Sequence, residues 1–168
     1  GFTNIAVLDG GFPKWNEEKH PIEKQHQREF LKGNFKVNYK SIKIKFTSDV
    51  LSSIENKTIL IADARSKGRF NATTPEPRKE VKGGHIPNSV SFPFSEILNE
   101  NEFKSEEELK SIYKDINPEN KDFIFSCGTG ITASILALGA ELSGFKNYAV
   151  YDGSWTEWGS TDDLPIEI

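Results

Sequence analysis

The chain holds one cysteine, in the stretch FIFSCGTGITAS at residues 123–134. An apolar run leads into Cys127, glycines and threonines surround it, and an alanine- and leucine-rich run follows. The pattern reads as a buried strand, a tight loop and a helix. Gly128 and Gly130 permit backbone angles closed to other residues, so loop N–H groups can turn toward one centre. The helix behind the loop adds the positive end of its dipole. Both favour negative charge on the sulfur, and the same cradle suits an anionic group carried on it. The competing reading is an inert structural thiol, since free cysteine is commonly buried. The place of Cys127 between a strand end and a glycine turn favours the reactive one.

Phosphate chemistry on this thiol lacks a part. Cysteine phosphatases use a related strand-loop-helix and clamp the phosphate with an arginine six residues after the cysteine. That position is Ala133, and no basic side chain occurs between Cys127 and Leu142. A bound dianion would lack its main partner. Dithiol redox chemistry also fails, because no second cysteine exists to resolve a disulfide.

The elements that must position Cys127 alternate as in an α/β protein with a parallel sheet covered on both faces. Ser48 or Asp49 can cap a short helix carrying Val50, Leu51 and Ile54. TILIADAR contains a buried strand ending at Asp63. A glycine- and proline-rich loop covers residues 67–87, and a short strand covers 89–92. In SEEELKSIYKDI, Leu109, Ile112 and Ile116 recur at helical spacing, with Ser105 capping an acidic first turn. DFIFS is another strand, ITASILALGAELSG a helix closed by Gly144, and YAVYDG the last strand. Ligands gather at the carboxyl ends of strands in such sheets, and Asp63, Cys127 and Asp152 all fall at that edge.

Composition narrows the partners. A net charge of −4 over 168 residues provides no basic field for nucleic acid or an acidic membrane surface. The longest apolar stretch, residues 131–142, is too short to span a bilayer. His20, His26 and His85 are too scattered for a metal cluster, so no metal or cofactor is expected. A lone thiol fits a reducing compartment, cytoplasmic or mitochondrial.

The two ends of the chain echo each other. IAVLDGGFPKW (residues 5–15) and YAVYDGSWTEW (residues 148–158) each read as an apolar strand, Asp-Gly, an aromatic and then Trp. The echo points to residues 1–16 as the tail of one unit and residues 47–168 as a complete second copy. Residues 17–46 read as a polar linker with apolar points at Phe30, Leu31, Phe35, Val37 and Tyr39.

CGTGITAS, together with DARSKGRFNATTPEPR and GGHIPNSVSFPF upstream and DGSWTEW downstream, resembles the catalytic second domain of tandem rhodanese-type sulfurtransferases. The likeness is strongest to their 3-mercaptopyruvate group. It implies a rhodanese-like fold, a mostly five-stranded parallel sheet flanked by helices, preceded by the tail of a first such domain. It implies attack by Cys127 on the sulfur of 3-mercaptopyruvate, release of pyruvate, and a persulfide then taken by a thiol such as thioredoxin or by cyanide. Arg69 and Arg78 match the arginines that hold the substrate in this group, a role that suits the guanidinium fork; Glu76 or Glu80 could instead simply pair with them. Gly128, Gly130, Ile131 and Thr132 match the rest of the substrate-facing loop. Thr129 replaces a frequent serine and could relay a proton. Asp63, Arg65 and His85 are expected to be structural supports, His85 as part of a turn.

Thiosulfate-preferring relatives carry cationic residues inside the loop, which this loop lacks. A thiosulfate sulfurtransferase, or a persulfide carrier in a relay such as transfer-RNA thiolation, is the alternative. In this family a first domain helps line the site. Residues 1–168 alone are therefore expected to hold a persulfide but to turn over slowly.

Overall fold

In the computed structural model, which describes residues 4–24, 30–38 and 40–168, short strands and helices alternate along most of the chain. Residues 5–8, expected as a strand, pair with no strand among the described residues, and Ile5, Val7 and Leu8 lie exposed. A strand needs a neighbour to take up its backbone groups, and no strand among the described residues lies beside them. The chain then enters α1 (Gly11–Glu17). Asp9 Oδ1 accepts the Phe103 N–H at 3.1 Å, and Lys14 pairs with Glu102. His20 is exposed, with its Nε2 2.9 Å from Glu18 Oε2. Phe2, His26 and Tyr39 lie outside the described residues.

The stretch read as linker contributes to the sheet. After a 3₁₀ turn comes β1 (Ile44–Lys45), whose residues register with Val150 and Tyr151. Next is α2 (Thr47–Ser53). Neither Ser48 nor Asp49 is its cap, because the helix begins earlier. Asp49 instead accepts the Phe46 N–H from within the first turn, at 2.9 Å. Val50 is buried, but Leu51 faces out.

β2 (Ile59–Asp63) leads to α3 (Lys67–Phe70), a single turn inside the stretch expected as loop. β3 (Val90–Ser91) follows. An unanticipated antiparallel hairpin, β4 (Leu98–Asn99) and β5 (Glu102–Phe103), precedes α4 (Glu106–Ile116). Ser105 caps α4 as expected, and Glu108 makes the cap reciprocal, with Ser105 N–H donating to Glu108 Oε2 at 3.0 Å. β6 (Asp122–Ser126), α5 (Ile131–Leu142), β7 (Tyr148–Tyr151) and α6 (Ser154–Trp158) complete the chain of elements.

The sheet order is β1-β7-β6-β2-β3, parallel throughout. Side chains alternate across its faces, as the strand period requires. Phe123, Phe125 and Cys127 face the core that holds Leu109, Tyr113 and Leu136 of α4 and α5. Ile61, Ile124 and Tyr151 face the core that holds Val50 of α2 with Trp155 and Trp158 of α6. Gly139 lets α4 and α5 close up, since a Cβ there would stand 2.6 Å from the Tyr113 hydroxyl. Among the described residues, no helix is long and apolar enough to cross a membrane.

Candidate active site

Cys127 follows β6 directly and is 1% exposed. Gly130 donates its N–H to the Cys127 sulfur at 3.0 Å. Gly130 takes φ +83°, and a Cβ there would stand 2.9 Å from the Asp152 carbonyl oxygen, so both the turn and the close approach require glycine. The N–H groups of Gly128, Thr129, Ile131 and Thr132 donate to no backbone carbonyl. They are the free donors that a loop opening a helix leaves for an anion.

The loop is pinned from behind by α6. Trp155 N–H donates to the Cys127 carbonyl and Thr156 N–H to that of Gly128, both at 2.9 Å. Cys127 N–H donates to Ser154 Oγ at 3.1 Å, and Ser154 Oγ donates to the Tyr151 carbonyl at 2.8 Å. Ser154 is fully buried and sits at φ +50°, a conformation that costs a non-glycine residue energy. Its role was missed from sequence; the only signal was its place in DGSWTEW, quoted as a motif and not as a site.

A cavity of about 400 Å³ opens over the sulfur. Of the residues singled out from sequence it brings together Arg69, Arg78, Cys127, Gly128, Thr129, Ile131 and Thr132, and it adds Glu76, Pro77, Val81 and Thr156. Gly130 stands behind the sulfur and not on the wall. Thr129 is exposed and its hydroxyl has no partner among the described residues. Ile131, 72% exposed, forms part of the rim. A second cavity, about 310 Å³, opens at the amino-terminal edge of the sheet near Lys43, Lys45 and Tyr148, and its lining contains no cysteine.

Charge around the main cavity is organised by Glu76. Its Oε1 accepts from Arg69 Nε at 3.1 Å and from Arg65 Nη1 at 2.9 Å. Its Oε2 accepts from Arg69 Nη2 at 2.6 Å. Arg65 is fully buried, forked onto Asp63, hydrogen-bonded to the Gly84 carbonyl and stacked over the Trp155 ring at 4.4 Å. Asp63 and Arg65 are thus bonded to each other, with Arg65 reaching Glu76 on the cavity wall. The hydrogen bonds that Arg69 donates to Glu76, more than the Glu76 charge, push its guanidinium further up than usual, so it stays protonated. Arg69 is therefore paired as the surface-ion reading anticipated, while Arg78 has no carboxylate partner among the described residues. His85 lies against the Phe70 ring and its Nδ1 is 2.9 Å from the Phe70 carbonyl. It does not line the cavity. Among the described residues no cluster of His, Cys, Asp and Glu is placed to hold a metal ion.

The profile of the Rhodanese-like domain matches residues 47–161. The chain belongs to the rhodanese-like family. Mouse 3-mercaptopyruvate sulfurtransferase is 40% identical over 162 residues, covering 94% of this chain and 54% of that protein. Rat thiosulfate sulfurtransferase is 38% identical over 161 residues, again covering 94% of this chain and 54% of that protein. The crystal structure of SseA from Escherichia coli, presented as a 3-mercaptopyruvate sulfotransferase, superimposes with a TM-score of 0.72 at 31% identity, covering 89% of this chain and 56% of that one. The chain thus spans about half the length of the relatives it matches. The rhodanese-like sheet, with Cys127 at its carboxyl edge, agrees with the fold expected from sequence.

Proposed function

We propose that this chain carries the catalytic site of a 3-mercaptopyruvate sulfurtransferase. The observation that carries the reading is a buried thiol under a cradle of free N–H groups in a loop with no cationic side chain, beside a cavity rimmed by Arg78. Cys127, as thiolate, attacks the substrate sulfur. A sulfur–sulfur bond forms, the carbon–sulfur bond breaks, and its electron pair passes to the pyruvate enolate. The proton leaving the substrate thiol ends on the methyl group of pyruvate, and in this reading Thr129, which lines the cavity, relays it. The loop N–H groups stabilise the persulfide anion by electrostatic preorganisation. A thiol such as thioredoxin, or cyanide, then takes the outer sulfur. Arg78 and the free edge of Arg69 bind the carboxylate and carbonyl of the keto acid.

Residues 1–16 are read as the tail of a first rhodanese-like unit, 17–46 as a connection and 47–168 as the catalytic unit. The exposed Ile5, Val7 and Leu8 support a further packing partner there. Thiosulfate is the second donor, a reading favoured by the identity to the rat thiosulfate sulfurtransferase.

The test is intact mass spectrometry after incubation with 3-mercaptopyruvate. A gain of one sulfur atom that a reductant removes, and that Cys127→Ser abolishes, is expected. An unchanged mass sinks the proposal.

A further inference from the structure

Arg69 and Arg78 both line the cavity, yet only one of them offers an unbalanced charge. Arg69 is held by both oxygens of Glu76. Glu76 also takes Arg65, which is forked onto Asp63. These four side chains, two cationic and two anionic, are mutually bonded and their charges cancel. The Glu76 side chain is 5% exposed and that of Arg69 26%, so water screens the cluster weakly. Arg78 remains, exposed and without a carboxylate partner among the described residues. The cavity wall therefore presents a net charge of one.

We infer that Glu76 sets the anion preference of the site: by neutralising Arg69 it leaves one positive charge for the donor, matching a monoanion such as a keto acid over a dianion such as thiosulfate. The inference rests on the sulfurtransferase reading for its substrates but not for its charge. Glu76 acts through Arg69 and is a positioning residue, not a catalytic one. Its carboxylate fixes the guanidinium fork with Nε and one Nη occupied, leaving Nη1 and the outer hydrogen of Nη2 for a ligand. Nη2 lies close to Gly128, 3.2 Å from where a Cβ would stand, so this free edge faces the loop. Glu76→Gln keeps an acceptor for one nitrogen, removes the charge and leaves the wall with two unbalanced cations. A dianion gains more from that change than a monoanion does.

The test reads charge at the sulfur directly. Cys127 is the only cysteine, so alkylation by anionic iodoacetate and by neutral iodoacetamide reports the local potential without any assumption about turnover. Glu76→Gln is expected to raise the iodoacetate-to-iodoacetamide rate ratio about tenfold, the effect of one unit charge over roughly 10 Å at an effective dielectric near 20. The double variant Glu76→Gln with Arg69→Gln restores the net charge and should return the ratio to the wild-type value. The kcat/KM ratio of thiosulfate to 3-mercaptopyruvate should rise in the single variant and fall back in the double. An unchanged alkylation ratio in Glu76→Gln, or an equal rise in both variants, overturns the inference. A moved alkylation ratio with no turnover of either donor overturns the sulfurtransferase reading and leaves the charge assignment standing. Should Glu76→Gln not fold, exposed Arg78→Gln carries the test. It should lower the alkylation ratio several-fold, and no change there overturns the inference equally.

Discussion

Gly130 donates its N–H to the Cys127 sulfur across 3.0 Å while its own α-carbon faces the Asp152 carbonyl. A side chain cannot be added on that carbon without moving either the loop or the end of β7. Gly130→Ala is expected to lose about 1–3 kcal/mol of stability, the usual cost of a non-glycine residue forced into such a conformation. Denaturant midpoints measure that loss. The rate of iodoacetamide capture by Cys127 should fall with it, and an unchanged rate would show that the N–H contact does not matter to the thiol.

Arg78 differs from Arg69 in having no carboxylate partner among the described residues. Arg78→Ala should therefore raise the KM for 3-mercaptopyruvate by about 10- to 100-fold, the range for a charged hydrogen bond, and change kcat much less. Steady-state kinetics in the presence of a thiol acceptor would show it. A fall in kcat at constant KM would place Arg78 on the reacting atoms instead.

Ser154, fully buried, accepts the buried N–H of Cys127. Ser154→Ala is expected to destabilise the fold by about 1–3 kcal/mol by leaving that donor unpaired. Ser154→Gly relieves the backbone at φ +50° but loses the same bond, so it should recover only part of the loss. If glycine fully restored stability, backbone strain and not the hydrogen bond would be the larger effect.

Glu108 accepts from both the hydroxyl and the N–H of Ser105, and these bonds hold its carboxyl below the usual range, the hydroxyl contributing most. A depressed carboxyl stabilises the fold above the ordinary carboxylate range, and that contribution vanishes as pH falls through its lowered value. Glu108→Gln should thus melt a few degrees lower than wild type at pH 7, and the two should converge as pH falls through the lowered carboxyl value. Thermal melts across that interval test it; a constant gap would assign the effect to packing.

Much of this architecture was legible because burial on both sides of a parallel sheet leaves apolar runs, and DFIFS and TILIADAR are such runs. Ser105 announced the start of α4 through local hydrogen bonding alone. β1 was hidden, because two residues cannot display a period and Ile44 owes its state to Val150, a hundred residues away. The apolar stretch at residues 5–8 looked like a strand but has no strand neighbour among the described residues. Cys127 could be found from its loop, and the two arginines from the motif around them. What no motif contained was the division of labour between them, since that depends on which guanidinium Glu76 reaches in three dimensions.

The stitching of α6 to the cysteine loop has a consequence for the order in which the protein is made. Synthesis delivers Cys127 well before Ser154, Trp155 and Thr156, whose bonds hold the Cys127 amide and the Cys127 and Gly128 carbonyls. A nascent chain halted before Ser154 thus has the thiol but not its shaped surroundings. Ribosome-bound chains of increasing length should show the alkylation rate of Cys127 step to its mature value only once α6 has emerged from the exit tunnel.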